Sequence, residues 1–256
     1  MRRVALISVF AAVAGGLSLP VQARPDPGPL RIGGAEITIE LAGRFDRSPA
    51  ELTAYVATAA RAVTGYFGKF PVARYRVRLE SADGAGVQGG TTWGWGGAHS
   101  RVILGAHVTA AQLEHDWTMT HEMVHTAFPD QPDTHTWIQE GTATYIEPLA
   151  RSWVGNYPPD KVWADLVDGV PKGLPGAGDR GLDHTHSWGR SYWGGALFWL
   201  LADVEIRERT GGKRGLIDAM RAIVAAGGSN EVDWPIDKAF AIGDKATGVP
   251  VLAELY

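Results

Sequence analysis

The stretch Thr120–Glu140 reads T-H-E-M-V-H-T-A-F-P-D-Q-P-D-T-H-T-W-I-Q-E. His121 and His125 are four residues apart, so on a helix their imidazoles leave one face about a turn apart and can share one metal ion. Glu122, offset by roughly 100° from His121, can reach a water on that ion without taking a coordination position, as a general base must. A zinc site that does chemistry takes three protein ligands and leaves a fourth position open. Glu140 is the expected third ligand. It lies in W-I-Q-E-G-T-A-T-Y-I-E, which can form a second helix, and the segment with Pro129 and Pro132 can turn that helix back along the first. The longer H-E-x-x-H-x-x-G-x-x-H pattern is excluded, because Phe128 and Gln131 stand where it needs Gly and His.

Outward from this stretch, Thr109-x-x-Gln112 is a capping-box signature that predicts one zinc helix from Ala110 to Ala127, ended by Pro129. The second helix is expected from near Thr134, with Pro148 kinking or ending it. Glu147 lies seven residues past Glu140 on the same face, where it would either accept the second N–H of a zinc histidine or serve as a solvent-facing or ion-paired residue. Alternation of apolar residues predicts strands within Arg31–Phe45, Val72–Glu80 and Arg101–Gly105. Between the first two, Ser48-Pro49-x-Glu51 opens a helix reaching about Phe67. The glycine-dense segment Ser81–Gly97 reads as a loop whose Trp93 and Trp95 either contact substrate from a mobile rim or cap the core. Asn156–Trp188 is rich in proline and glycine and ends in Asp183-His184-Thr185-His186, from which His186, with Arg190 beyond, is a candidate for lining the cleft. Helices follow at Gly194–Thr210, stopped by Gly211-Gly212, and at Leu216–Ala226 and Pro235–Ala241.

At 256 residues, 45% apolar and 20% charged, the chain can bury a core large enough for one domain or for two lobes sharing a cleft. Arg2-Arg3, the apolar run Val4–Val13 and Val21-Gln22-Ala23 predict a signal peptide over residues 1–23 and export to the periplasm or beyond. That run is short, broken by Gly15-Gly16 and closed by Pro20, which argues against a membrane anchor. A proline-rich leader, 24–30, would precede a single domain, 31–256, made of a β-rich lobe (31–127) ending in the zinc helix and a helical lobe (128–256). With no cysteine there are neither disulfides nor thiol chemistry. The 28 acidic residues outnumber the 24 basic ones and no basic block occurs, so nucleic acid is not an expected partner. No stretch after residue 23 reads as a membrane span, and the sequence carries no signature of oligomeric state.

Trp137–Glu147 resembles the W-x-x-E-G-x-A-S-Y-x-E stretch of aminopeptidase N-type gluzincins, with Thr144 where that family usually has Ser. Tyr192-Trp193-Gly194-Gly195 is similar to the family's Y-x-K-G, and Tyr192–Met220 resembles the corresponding part of the glycyl-aminopeptidase family. The ligand spacing is shorter than in aminopeptidase N, and no G-A-M-E-N segment precedes the zinc motif. The resemblance implies an α+β, thermolysin-like zincin catalytic domain: a small mixed sheet and a helix in the first lobe, a helical second lobe, and a zinc cleft between them. It implies one Zn2+ held by His121, His125 and Glu140, an oxyanion role for the Tyr192 hydroxyl, and a peptide or protein substrate. It further implies that the strand before the zinc helix, Arg101–Gly105, is the sheet edge that holds substrate backbone. Two other readings share the motif, a zinc amide or ester hydrolase and an exported metal-binding scaffold without catalysis. A structural site has no need of Glu122, which weighs against the scaffold.

Overall fold

Gly33 and Gly34, at φ 59° and 84°, turn the chain back on itself at the first hairpin. In the computed structural model, which describes residues 28–256, this turn pairs β1 (Leu30–Ile32) antiparallel with β2 (Ala35–Ala42). The expected signal segment 1–23 lies outside the described residues, as does most of the 24–30 leader. Ser48 then caps α1 (Pro49–Phe67) through the capping box with Glu51, and Gly68 ends it in the left-handed conformation. Next come β3 (Arg74–Ala82), β4 (Val87–Trp93) and β5 (His99–Gly105). The sheet order is β1-β2-β3-β5-β4, with β2/β3 and β3/β5 parallel and the outer pairs antiparallel.

Two expectations change here. The segment read as a glycine loop contains a strand, β4, and β4 rather than β5 forms the edge; β5 is interior. Glycine density hid the strand, since alternation is invisible where side chains are missing. Pairing nevertheless succeeds because each residue from Gly89 to Trp93 has a backbone partner on β5, after a register shift between Val87 and Gly89.

Ile37, Ile39, Val77, Leu79, Val102 and Leu104 alternate along β2, β3 and β5 and are buried in one cluster with Leu52, Val56 and Val63 of α1. Each such side chain, fully buried, contributes about 1.5–3 kcal/mol. The rest of the chain is helical: α2 (Ala110–His115), α3 (Thr118–Val124), α4 (Thr136–Trp153), α5 (Pro159–Gly169), α6 (Gly195–Arg209), α7 (Leu216–Ala225), α8 (Ile236–Thr247) and α9 (Val251–Leu255). Among the described residues no helix is long and apolar enough to cross a membrane.

The zinc helix is not continuous. Thr109 and Gln112 form the expected capping box, but Asp116 adopts an extended backbone (φ −67°, ψ 138°) and separates α2 from α3. Its carboxylate accepts hydrogen bonds from the Met119 N–H at 3.0 Å and the Tyr55 hydroxyl at 2.6 Å, so a new helix starts from a side chain anchored on α1. Pro148 lies inside α4 without ending it, a helix the sequence reading lacked (α5) occupies part of the proline- and glycine-rich segment, and α8 runs past Ala241 to Thr247.

Helices α4 and α6 cross where Gly141 meets Gly195. A Cβ on Gly141 would fall 2.4 Å from the Gly195 Cα, and one on Gly195 would fall 2.1 Å from the Trp137 carbonyl oxygen. Gly→Ala inside an ordinary helix adds up to about 1 kcal/mol of stability. Here Gly141→Ala should instead cost about 1–3 kcal/mol, through forced separation of two helices. Thermal melts of the two proteins check this; an unchanged or raised midpoint would mean the helices are not in backbone contact.

Candidate active site

On α3 and the 3-10 turn His125–Ala127 that continues it, the rings of His121 and His125 have centroids 4.9 Å apart. Helix α4 brings Glu140 against them, with Oε2 3.2 Å from His121 Nε2 and 3.7 Å from His125 Nε2. Tetrahedral zinc with bonds of about 2.0–2.1 Å places its ligand atoms about 3.3 Å apart. The three donor atoms lie within 4.8 Å of one another, so the residues fit a single zinc ion. Their protonation suits it too. Burial lowers the His125 pKa, which favours the neutral imidazole a metal requires. Burial alone would raise Glu140, but His125 and His121 overcome it and hold the carboxyl at about 2.

Glu122 points into the same cleft from α3, where β4 passes close by. A Cβ on Gly90 would lie 2.6 Å from the Glu122 side chain, so glycine is what lets the edge strand come this near. The Thr92 hydroxyl contacts Glu122 Oε2 at 2.6 Å, and behind it Ser100 and Tyr75 continue a chain of hydroxyls across β5 and β3. One proton per hydroxyl permits a consistent direction, Tyr75 to Ser100 to Thr92 to Glu122, with every member donating toward the carboxylate. Burial raises the Glu122 pKa, opposed by His125 and by the Thr92 hydrogen bond.

Tyr192 does not open α6 directly; it lies in a π-helical turn, Arg190–Gly194, that precedes it. Its ring stacks on His121 at 5.8 Å and 7°, and Trp188 stacks on Tyr192 at 5.7 Å. Burial and the Glu140 carboxylate push its pKa well up, so the phenol stays protonated and remains a hydrogen-bond donor.

The other candidates divide. Trp93 and Trp95 line the cleft beside His125 and Glu140, Trp93 stacked on His99 and Trp95 exposed. Thr144, one turn beyond Glu140, has a buried hydroxyl without a hydrogen-bond partner among the described residues. Glu147 does not meet His121 or His125: it forms a buried ion pair with Arg151 at 2.8 Å. Seven residues return a side chain to the same face but carry it about 10 Å along the axis, past the site. His186 is exposed and Arg190 is tied to Asp179 at 2.7 Å; neither is among the residues around the metal-ligand cluster. Thr92, Ser100, Tyr75 and Asp116 were missed, since their contacts to the site come from strand pairing and helix packing. The pair Thr91-Thr92 inside the glycine run was the one available signal.

No protein-family model matches the chain, and no curated protein matches it. Among solved structures, the chain has the α+β zincin-like fold of M1 zinc metallopeptidases of the aminopeptidase N family. An M1 zinc metallopeptidase from Deinococcus radiodurans superposes with a TM-score of 0.55 at 18% identity, over 90% of this chain and 50% of that one. A mutant of it bound to a Tyr-Ser-Ala substrate gives 0.56 at 18% identity, over the same 90% and 50%. An aminopeptidase N family protein from Idiomarina loihiensis gives 0.58 at 16% identity, over 83% of this chain and 43% of that one. The chain therefore spans about half the length of the structures it matches.

Added zinc should raise the melting temperature of the wild-type protein and of Glu122→Gln, because binding to the folded state alone stabilises it. His121→Ala, His125→Ala and Glu140→Ala should lose that rise and the co-purifying zinc. Metal analysis with thermal shift makes the measurement, and full zinc retention by Glu140→Ala would remove the carboxylate from the ligand set.

Proposed function

We propose that the protein is an exported zinc-dependent peptidase that hydrolyses peptide bonds in the cleft between β4 and the helices α3 and α4. The observation that carries this reading is the convergence of a His-His-Glu metal set with a separate carboxylate, Glu122, and a protonated phenol, Tyr192, around one opening. Its fold likeness to M1 zinc metallopeptidases supports the same reaction class. Export is supported by the charged, apolar and small-residue pattern of residues 1–23.

Zinc held by His121, His125 and Glu140 would supply a Lewis acid and lower the pKa of water at the site. Glu122 takes a proton from the attacking water and returns it to the leaving amine. Its burial favours the first of these transfers, because a carboxylate whose pKa is raised takes up a proton more readily. Thr92 keeps Oε2 aimed by donating to it. Tyr192 donates to the carbonyl oxygen as negative charge develops there. The stacks of Trp188 and of His121 on Tyr192 hold the phenol ring in place for that contact.

Glu122→Gln should bind zinc normally and lose hydrolysis by about 10²–10⁴-fold. Tyr192→Phe should lower kcat by about a hundredfold or more. Thr92→Val should lower kcat with KM and zinc content unchanged. Steady-state kinetics on a peptide substrate, with metal content measured on each variant, tests all three; a fully active Glu122→Gln protein would overturn the mechanism.

A further inference from the structure

We infer that the protein is an endopeptidase, binding an internal, apolar stretch of an extended polypeptide with residues on both sides of the cut bond. This rests on the peptidase reading above and adds to it where the substrate lies. Gly90, Glu122 and Tyr192 are shared by two pockets, one on each side of the reacting centre. The first, about 490 Å³, continues past Val87 and Gln88 to Trp117; the second, about 320 Å³, continues past Thr92 to Trp93 and Trp95. Each is of the size that receives a small ligand. Edge strand β4 runs beside both, from Val87 in the first to Trp93 in the second, and among the described residues its outer side is not paired with another strand. An extended peptide lying along that edge passes the centre with chain to spare in both directions, since a strand advances about 3.3 Å per residue.

The chemistry of the two ends agrees. Among the described residues no arginine or lysine lines either pocket to pair with a terminal carboxylate. In the first pocket Asp116 is engaged by the Tyr55 hydroxyl and the Met119 N–H, leaving it committed to the fold rather than to a substrate amine. In the second, Glu140 belongs to the metal set and Asp130 accepts from Gln139 at 2.8 Å. What each pocket does offer is an exposed indole: Trp117 is 50% exposed and Trp95 is 75% exposed. Large apolar side chains flanking the cut bond would cover them.

The test uses the zinc-loaded full protein and a ten-residue peptide with central Phe and Leu, prepared free and with acetylated and amidated ends. Internal cleavage of the blocked peptide at a rate within a few-fold of the free one is expected. Independently of turnover, the Glu122→Gln protein should bind the blocked peptide with a change in tryptophan fluorescence. On a mixed peptide library, Trp95→Ala and Trp117→Ala should each lose about tenfold or more for large apolar residues, on opposite sides of the cut bond. Release of single N-terminal residues from the free peptide alone, abolished by Asp130→Ala, would overturn this inference and leave the peptidase reading standing. Failure of the zinc-loaded protein to cut either peptide would overturn both.

Discussion

The backbone contact between Gly141 and Gly195 is the constraint on which the site depends. Glu140 immediately precedes one glycine and Tyr192 stands three residues before the other. The crossing of α4 on α6 therefore sets the separation of the carboxylate from the phenol and, through the stack of Tyr192 on His121, from the imidazoles. With no side chain between them, the helices approach to a distance that only glycine permits. Reactive constellations tolerate about 0.5 Å of displacement, which is less than a methyl group inserted at this crossing would impose. The glycine after Glu140 is thus part of what positions that carboxylate against the two histidines.

Two carboxylates share the cleft and are driven in opposite directions. Glu140 faces two histidine rings and is held ionised at about 2, whereas Glu122 is buried against the edge strand and raised. The difference follows from surroundings rather than residue type: neighbours that can bear positive charge stabilise one anion, and loss of water disfavours the other. Pairs of acids separated in this way commonly divide binding from proton transfer, and the proposed roles follow that division. Thr92 moderates the second effect by giving Glu122 one directed hydrogen bond, backed by Ser100 and Tyr75 from the interior of the sheet.

The sheet serves the site through its last strand. β2, β3 and β5 bury apolar side chains in one cluster with α1, but β4 is short of side chains where it passes Glu122, and Gly90 lets backbone rather than side chain face the carboxylate. Asp116 makes the complementary adjustment on the helical side. By accepting from Met119 and Tyr55 it starts α3 afresh, so His121 on that short helix and His125 on the 3-10 turn continuing it are tied to α1 instead of lying at the far end of a long helix. Short elements anchored at their ends can hold a site as firmly as long ones, provided each end is satisfied.

Features governed by neighbours in sequence were legible. The i, i+4 spacing of His121 and His125, the capping boxes at Ser48 and Thr109, and the Gly211-Gly212 stop are local, and all occur as read. Glu140 was also legible, because a second helix after a proline turn has few ways to return to the first. The edge strand, the break at Asp116 and the pairing of Glu147 with Arg151 were decided by tertiary structure. Each depends on a partner far away in the chain: β5 for β4, Tyr55 for Asp116, and for Glu147 a position along the α4 axis that periodicity does not report. The sequence by itself determined which atoms could hold a metal. Only the fold decided what surrounds them, because burial and hydrogen bonding belong to the packed chain and not to the residue order.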